Sequence, residues 1–343
     1  MRVQLSIAFS LSLFFVLVLS LHPDAQTATC PGSARVQYVC NQAGPEDLAV
    51  IRGGKWVIAS GQVATGAVRL INASDRSTTV VFSPTSGRSR LDGATYPSCP
   101  GPPDPAEGDT FRAHGMYLTD RGRAKELLYV VHHGMRESVE MLEVDRSVSP
   151  PGFTWVGCAI APGGVSLNAV VALPDGGFAA TNWLSVDFPR DRMMAGAASG
   201  ELWEWTTASG WSKVPESEMS GGNGLEISKD GKWYFIGAWG SQELVKLSRG
   251  RQPVIKQSIP AGYRVDNLRW ARDGSLLATG FTTGAAGVTF VARVDPTKWT
   301  QRVIIREPYN DVFSVGTVAV EVGRQIWVGS TRGDKIAIFG STQ

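Results

Sequence analysis

Past Cys40 the chain alternates apolar and polar residues over short segments, which are separated by turns containing glycine or aspartate. The segments "PDGGF", "KDGKW" and "RDGSL" carry the Asp-Gly signal of tight hairpins. Alternation with a period of two residues predicts strands that turn one face toward a core, and no segment shows a convincing helical period. The pattern therefore predicts an all-β chain built from hairpins.

One phrase recurs six times: a polar residue opens a strand, a turn follows, and a second strand ends in small residues. The copies begin "EDLAVIRGG", "HGMYLTDRG", "NAVVALPDG", "NGLEISKDG", "DNLRWARDG" and "TVAVEVG". Their opening residues, spaced 67, 54, 55, 44 and 50 residues apart by subtraction, are Asp47, His114, Asn168, Asn223, Asn267 and Thr317. Six units of three or four strands predict radial repetition, which leaves few exposed sheet edges. We therefore expect a six-bladed β-propeller with a central metal-binding channel.

The last copy has no fourth strand, because the chain ends soon after "KIAIFG". The segment "ARVQYVC", upstream of the first copy, would supply that strand and close the ring. We therefore predict that residues 36–40 pair with the last blade. Residues 29–343 are expected to form a single propeller domain.

The amino-acid composition agrees with this fold, and the net charge limits which classes of partner are expected. The 39 glycines, 19 prolines and 11 tryptophans favour short strands and turns over a helical bundle. The formal net charge is only +2, and the lysines and arginines form no run. Nucleic acid and anionic membrane surfaces are therefore not expected as partners.

The N-terminus has the pattern of a signal peptide, with Arg2 before an apolar run over residues 5–21. We predict a signal peptide over residues 1–28, cleaved near Ala25 or Ala28, and a secreted or periplasmic protein without a later membrane span. An uncleaved anchor stays open as an alternative, since the apolar run approaches the length that spans a bilayer. A lipid-anchored Cys30 is disfavoured, because Thr29 is larger than the residue usually tolerated before a lipidated cysteine.

Four cysteines follow this segment, and an even number in an exported protein indicates disulfides. They allow three pairings, of which we favour Cys30–Cys40 with Cys99–Cys158. No CxxC pair occurs, so a cysteine zinc site is not expected.

In a propeller the opening residues of the inner strands form one polar ring around the channel. Glu46 and Asp266 stand directly before two of these residues and add carboxylates. Water could satisfy such a ring, but a buried ring dominated by oxygen donors also suits a hard cation such as calcium. The sequence therefore predicts a calcium site on the axis.

Three of the four histidines, His114, His132 and His133, lie within twenty residues of one another. His114 opens the second blade, and His133 ends the second strand of the same blade, so the two imidazoles are expected to meet above the ring. Alternation sends His132 and His133 to opposite faces of the strand, so only one of them can face the site.

Several segments, in one order, resemble the paraoxonase/arylesterase branch of the SMP-30/gluconolactonase superfamily. They are "GPEDLAV", "HGMYL", "LLYVVHHG", "SLNAVVAL", "NGLEISKDGKWYFIGAW" and "VDNLRW". The match runs over residues 46–340, and the ordered combination is more specific than any one segment. The separation of 19 residues between His114 and His133 (133 − 114) also suits the family pattern.

The resemblance implies a set of side-chain ligands for one catalytic calcium, namely Glu46, Asn168, Asn223, Asp266 and Asn267. It also implies a catalytic dyad of His114 and His133. A second, structural calcium would involve Asp47 and the carbonyl of Met116. The family's carboxylate after the third-blade asparagine is Ala169 here, so that second ion lacks a ligand and water could replace it. The last blade has no cysteine, so the family's disulfide between the chain ends cannot form in the same way.

The reaction implied is hydrolysis of a lactone or an aryl ester. The metal would stabilise the oxyanion, His114 would remove a proton from the attacking water, and His133 would orient it. His132 stands beside the dyad and could adjust its acidity. The candidate pocket-wall residues, which suggest an apolar substrate, are Trp183, Leu184, Phe188, Trp239, Phe281 and Phe313.

Two other functions stay open. A calcium-stabilised exported propeller could act as a binding scaffold, since fold alone does not determine function. A sugar lactonase of the gluconolactonase type would use a similar ring without paired histidines. The dyad argues against both. GxSxG, HExxH, Walker A and Rossmann motifs are absent from the sequence.

Overall fold

The computed structural model describes residues 30–340, so the predicted signal peptide over residues 1–28 lies outside the described range. Within that range the chain is all-β apart from one short helix, α1 (Arg190–Met194), and one 3-10 turn (Pro105–Glu107). Between residues 30 and 340, no helix reaches the length and apolarity that crossing a bilayer requires.

The strands form six sheets, and each sheet is one blade. Their bounds are β1 (Val36–Val39), β2 (Leu48–Val50), β3 (Trp56–Ala59), β4 (Val68–Asn72), β5 (Thr78–Phe82), β6 (Arg88–Ser89), β7 (Arg112–Gly122), β8 (Lys125–His133), β9 (Glu137–Asp145), β10 (Gly152–Ile160), β11 (Leu167–Ala172), β12 (Phe178–Asn182), β13 (Leu202–Thr206), β14 (Gly210–Lys213), β15 (Gly222–Ile227), β16 (Trp233–Ala238), β17 (Glu243–Ser248), β18 (Lys256–Pro260), β19 (Arg264–Trp270), β20 (Leu276–Phe281), β21 (Val288–Asp295), β22 (Thr300–Pro308), β23 (Gly316–Val322), β24 (Gln325–Ser330) and β25 (Ile336–Phe339).

The blades follow one another along the chain and close into a ring. Blades 1 to 5 begin with β2, β7, β11, β15 and β19, and blade 6 begins with β23. These first strands contact one another in sequence, and β23 returns to contact β2. The closed circle of inner strands confirms the predicted six-bladed propeller. The short strand β6, which pairs in parallel with β10, is an extra edge strand that the repeat did not predict.

The N-terminal segment closes the ring as predicted. Strand β1 pairs antiparallel with β25, with Val36 opposite Phe339 and Val39 opposite Ile336. Blade 6 therefore takes three strands from the end of the chain and one from its beginning. Pairing both ends in one sheet leaves no open edge between the last blade and the first.

The Asp-Gly turns join first and second strands because glycine adopts the left-handed conformation that they need. Gly176, Gly231 and Gly274 have φ angles of 102°, 70° and 83°. Apolar side chains of the hairpins fill the space between blades. For example, Tyr129 of blade 2 packs on Phe178 of blade 3, with ring centroids 5.5 Å apart. Burying such a side chain stabilises the fold by about 1.5–3 kcal/mol.

Both favoured disulfides are present, Cys30–Cys40 and Cys99–Cys158. The first fixes the chain beside β1. The second ties the long loop between β6 and β7 to β10. This loop leads directly into the strand that carries His114, so the bond supports the approach to the channel.

Replacing both Cys99 and Cys158 by serine is expected to destabilise the protein by about 4 kcal/mol in urea unfolding. The bond joins residues separated by 59 positions, and the entropy that it removes from the unfolded chain grows with loop length. The matched control is the serine pair at Cys30 and Cys40, whose separation of 10 predicts a loss of about 3 kcal/mol. A smaller loss for the longer loop would contradict this explanation.

Candidate metal and dyad site

The six opening residues lie where the inner strands begin, and each is buried. Their exposed fractions are no more than 8%. In five inner strands the pairing register shifts at or beside the opening residue, for example between Ala113 and Met116 and between Val265 and Leu268. Such bulges release a residue from the regular ladder and re-aim its side chain. The bulges thus account for polar side chains that turn out of the blades toward the axis.

The glycines of the "HG" and "NG" motifs allow neighbouring inner strands to approach closely. A Cβ on Gly115 would lie 2.2 Å from the carbonyl oxygen of Asn168. A Cβ on Gly224 would lie 2.3 Å from the carbonyl oxygen of Asp266. Any side chain at either position would push two blades apart and widen the ring, so both motifs have a direct structural cause.

The ring contains buried oxygen atoms that lack hydrogen-bond donors among the described residues. They are Oε2 of Glu46 and Oδ1 of Asn168, Asn223 and Asn267. The other oxygen of Glu46, Oε1, accepts a hydrogen bond of 2.7 Å from Nδ2 of Asn267. Buried polar groups are normally satisfied, so these four oxygens require a partner other than the described protein groups, either ordered water or a cation.

The two carboxylates of the ring, Glu46 and Asp266, favour a positively charged partner. Burial and the nearby charges of Asp266 and Asp47 raise the pKa of Glu46 well above its usual range. Burial and Asp47 likewise raise the pKa of Asp266, although hydrogen bonds with Glu46 and Asn223 oppose the shift. Two buried carboxylates ionise together only when a positive charge lies between them.

These residues fit calcium, which takes about six to eight oxygen ligands. The oxygens come from two carboxylates and three amides. Residues 30–340 contain no group of three or more His, Cys, Asp and Glu arranged to hold a metal, so the fit depends on the amide oxygens of Asn168, Asn223 and Asn267.

Two opening residues are engaged elsewhere. Oγ1 of Thr317 donates to the carbonyl oxygen of Glu46 at 2.6 Å, which links blade 6 to blade 1. The carboxylate of Asp47 accepts from the backbone N–H of Leu48 at 2.8 Å and of Met116 at 2.6 Å, and it forms an ion pair with Arg269. Asp47 is therefore an opening residue of the ring, but its carboxylate oxygens already have protein partners.

His114 and His133 meet as the sequence predicted. Nδ1 of His114 and Nε2 of His133 lie 2.7 Å apart, within hydrogen-bond distance. Nε2 of His114 lies 3.6 Å from Oε2 of Glu46, so the dyad stands beside the unsatisfied oxygens. Burial, followed by the charges of His133 and Arg112, lowers the pKa of His114 well below its usual range.

The dyad continues to a residue that the sequence did not reveal. Oε2 of Glu137 lies 2.8 Å from Nδ1 of His133. Oε1 of Glu137 accepts a hydrogen bond of 2.5 Å from the backbone N–H of Leu167, the residue before Asn168. Glu137 thus connects the dyad to the strand that carries a ring amide. Its position directly opposite His133 across β8 and β9 was the available signal.

These contacts determine which ring nitrogens of His133 and His114 carry a proton. An ionised Glu137 can only accept, so Nδ1 of His133 carries a proton and Nε2 is left as an acceptor. Nδ1 of His114 must then donate to it. The remaining nitrogen, Nε2 of His114, has a free lone pair beside Glu46 and the ring. A base is therefore pre-formed at the channel mouth.

His132 lies on the opposite face from the dyad, as alternation predicts. It is fully buried, stacks on Phe111 with ring centroids 5.0 Å apart, and lies 3.3 Å from a carboxylate oxygen of Asp109. Burial lowers its pKa to about 4, against the raising effect of Asp109. His132 therefore supports the loop before β7 in its neutral form.

An apolar cluster stands on the same face as the ring. It contains Met193, Trp239, Phe281 and Val315, with Trp183, Leu184, Phe188 and Tyr309 packed against it. Five of the six predicted wall residues are thus brought together. The sixth, Phe313, lies in a different cluster, with its ring 6.4 Å from that of Tyr38.

The cluster lies close to the ring because its residues end the second strands of their blades. Phe281 is the last residue of β20, and Trp239 directly follows β16. Tyr309 lies near enough to Asp266 for that carboxylate to contribute to its raised pKa of about 12, which burial chiefly causes.

No protein-family model matches this sequence, and no curated protein matches it either. Similarity appears in three dimensions. A luciferin-regenerating enzyme has a TM-score of 0.58 at 10% identity, over 89% of this chain and 95% of that chain. A gluconolactonase from Xanthomonas campestris has a TM-score of 0.56 at 14% identity, over 89% of each chain. A streptogramin B lyase has a TM-score of 0.53 at 10% identity, over 90% of this chain and 97% of that chain.

At these identities the likeness shows the shared propeller fold alone. The three neighbours carry names for different chemistries, so the fold does not select among them. The chemistry of this chain has to be argued from its own ring and dyad.

Proposed function

We propose that this protein is an exported, calcium-dependent hydrolase of lactones or aryl esters. The observation that carries the proposal is the pairing of a pre-formed histidine base with a ring of unsatisfied oxygens: Nε2 of His114 lies 3.6 Å from Oε2 of Glu46. The ordered motifs and the fold shared with a gluconolactonase support a place in the SMP-30/gluconolactonase superfamily. The histidine dyad favours its paraoxonase-like branch.

Calcium would be held by Glu46, Asn168, Asn223, Asp266 and Asn267, and when bound it supplies Lewis-acid polarisation of the substrate carbonyl and a counter-charge for the oxyanion. The three amides and two carboxylates come from four of the six blades, and Asp266 and Asn267 are neighbours in β19.

His114 performs the proton transfer. Its Nε2 takes a proton from water as the water oxygen bonds to the carbonyl carbon of the substrate. His133 and Glu137 hold the ring of His114 in the tautomer that leaves Nε2 bare, and they stabilise the imidazolium once it forms. The proton then returns to the leaving alkoxide or aryloxide as the C–O bond breaks.

The apolar cluster favours substrates with hydrocarbon or aromatic character. Trp183 and Trp239 pack edge to face at 5.9 Å, and Phe281 lies 6.2 Å from Trp239. This wall is chiefly aromatic and aliphatic, and its polar parts are the indole N–H of Trp183 and the guanidinium groups of Arg190 and Arg264. We therefore place alkyl lactones and aryl esters ahead of sugar lactones.

The test is hydrolysis of aryl acetates, five- and six-membered alkyl lactones and a sugar lactone by the purified mature chain. Each is assayed with calcium and after chelation. Turnover of the apolar substrates that disappears on chelation and returns with calcium is expected. Turnover of the sugar lactone alone would overturn the substrate assignment. No turnover, with calcium still raising the melting temperature, would support a binding scaffold instead.

Replacing Glu137 by glutamine is expected to lower kcat roughly five- to ten-fold with little change in KM. Glutamine can still accept from His133, but a neutral acceptor is about half as strong as a charged one, a loss of about 1 kcal/mol. Steady-state kinetics on the best substrate measures this split. Glu143, an exposed-side residue of the same strand paired with Lys125, provides the matched glutamine control. Equal effects of the two substitutions would contradict a positioning role for Glu137.

A further inference from the structure

Below the ring, the side chain of Arg269 occupies the channel. Its Nη2 donates to the carboxylate of Asp47 and to the carbonyl oxygen of Met116, the latter at 2.8 Å. Its Nη1 donates to the carbonyl oxygen of Leu268 at 2.6 Å, and its Nε to that of Leu48 at 3.3 Å. Blades 1, 2 and 5 therefore converge on one guanidinium group.

We propose that this guanidinium permanently holds the deeper cation position, so that the channel binds one divalent ion and not two. A carboxylate with several backbone carbonyls is the kind of oxygen set that hard cations use. Here the positive charge at its centre belongs to the chain itself. The inference rests on the proposed calcium ring only for the upper ion, since the contacts of Arg269 stand independently of it.

The buried charges agree with a single divalent ion. Asp47 and Arg269 neutralise each other as a pair, because Nη2 of Arg269 donates directly to a carboxylate oxygen of Asp47. Glu226 is a further buried carboxylate, and it lies beside the guanidinium group, 4.0 Å from Nη1 of Arg269. In the ring itself, Glu46 and Asp266 supply two carboxylates, whose charge one calcium ion balances. A second calcium ion beside the guanidinium would meet strong repulsion in a region shielded from water.

The residues of the deeper position also offer few free oxygens to a metal. Both oxygens of Asp47 already accept hydrogen bonds. Ala169, where the resemblance implies a carboxylate, has no oxygen to offer, and its backbone N–H donates to Oγ1 of Thr181. From the sequence, water could replace a second metal at this place. The contacts of Arg269 assign that place to a side chain.

The first test is the calcium content of the purified mature protein, measured by metal analysis and by calorimetric titration of calcium into stripped protein. One calcium per chain is expected. Two per chain would overturn the inference. No calcium binding at all would overturn both the proposed calcium ring and the single-ion channel. The role of the Asp47–Arg269 pair is tested separately, by the melting temperatures of the Arg269 variants.

The variant test compares Arg269→Ala with Arg272→Ala. Arg272 is a matched control because it lines the same end of the channel but is largely exposed and pairs with Glu321 at the surface. Arg269→Ala is expected to lower the melting temperature of calcium-stripped protein by roughly 10 °C, since it strands a buried carboxylate. Added methylguanidinium should recover part of this loss in Arg269→Ala only, and calcium should raise the melting temperature of Arg269→Ala by more than that of Arg272→Ala.

Arg269→Lys keeps the inference testable if the alanine variant does not fold. Lysine retains the charge beside Asp47 but cannot reach three carbonyls at once. It is expected to bind one calcium per chain and to melt between the wild type and Arg269→Ala. Equal melting temperatures for the Arg269 and Arg272 variants, with no response to methylguanidinium, would contradict the role given to Arg269.

Discussion

Replacing His114 by glutamine is expected to lower kcat/KM for lactones and aryl esters roughly 100- to 10,000-fold, the range that a positioned general base contributes. Glutamine approximates the size of the imidazole and can still donate to Nε2 of His133. It offers no basic nitrogen beside Glu46, where Nε2 of His114 now lies 3.6 Å away. The loss should appear mainly in kcat, because the lone pair acts on the attacking water and not on substrate binding.

The matched control is His132→Gln, in the same blade but on the other face of its strand. His132 is fully buried between Phe111 and Asp109, so its replacement is expected to lower the melting temperature. The folded variant should retain the wild-type kcat. A folded His114→Gln protein that hydrolyses at the wild-type rate would remove His114 from the mechanism.

Replacing Glu46 by glutamine is expected to weaken calcium binding by at least roughly 100-fold. Altering a residue that only supports a metal ligand already costs about 10- to 100-fold in affinity, and Glu46 would be a charged ligand itself. The substitution keeps the shape of the side chain and a partner for Nδ2 of Asn267. Only the negative charge is lost, so the change in calcium affinity measures how much the charge of Glu46 contributes to binding.

Calorimetric titration of calcium into stripped protein measures this effect. Glu321→Gln serves as the control, because it also removes one negative charge but lies at the far end of the channel, paired with Arg272 and Arg293. Its calcium affinity is expected to match the wild type. Equal affinities for Glu46→Gln and Glu321→Gln would show that the ring does not hold the ion.

The fold was predictable because each blade repeats one local rule. Strand alternation, the Asp-Gly turns at Gly176, Gly231 and Gly274, and a polar opening residue recur along the chain, and each acts over only a few residues. Closure by β1 also followed from counting strands in the last blade. Strand β6 and helix α1 lie in long loops outside the repeat, and no periodic signal marked them.

The candidate site was predictable only where it coincides with the repeat. His114 and His133 could be paired because both lie at fixed points of one hairpin. Glu137 faces His133 across one hairpin, a pairing that the short turn offered but the repeat did not mark. Arg269 depends on contacts across blades, which sequence spacing does not encode. Phe313 shows the same limit, since an aromatic residue in a loop can pack on either side, and here it faces Tyr38.

Calcium-dependent hydrolysis is tested most directly by a calcium titration in which occupancy and lactone hydrolysis are followed in the same stripped sample of wild-type protein. Turnover is expected to be absent without calcium and to rise in proportion to the binding of one ion per chain. Hydrolysis that persists unchanged in stripped protein, or full calcium occupancy without turnover of any lactone or aryl ester, would contradict this expectation.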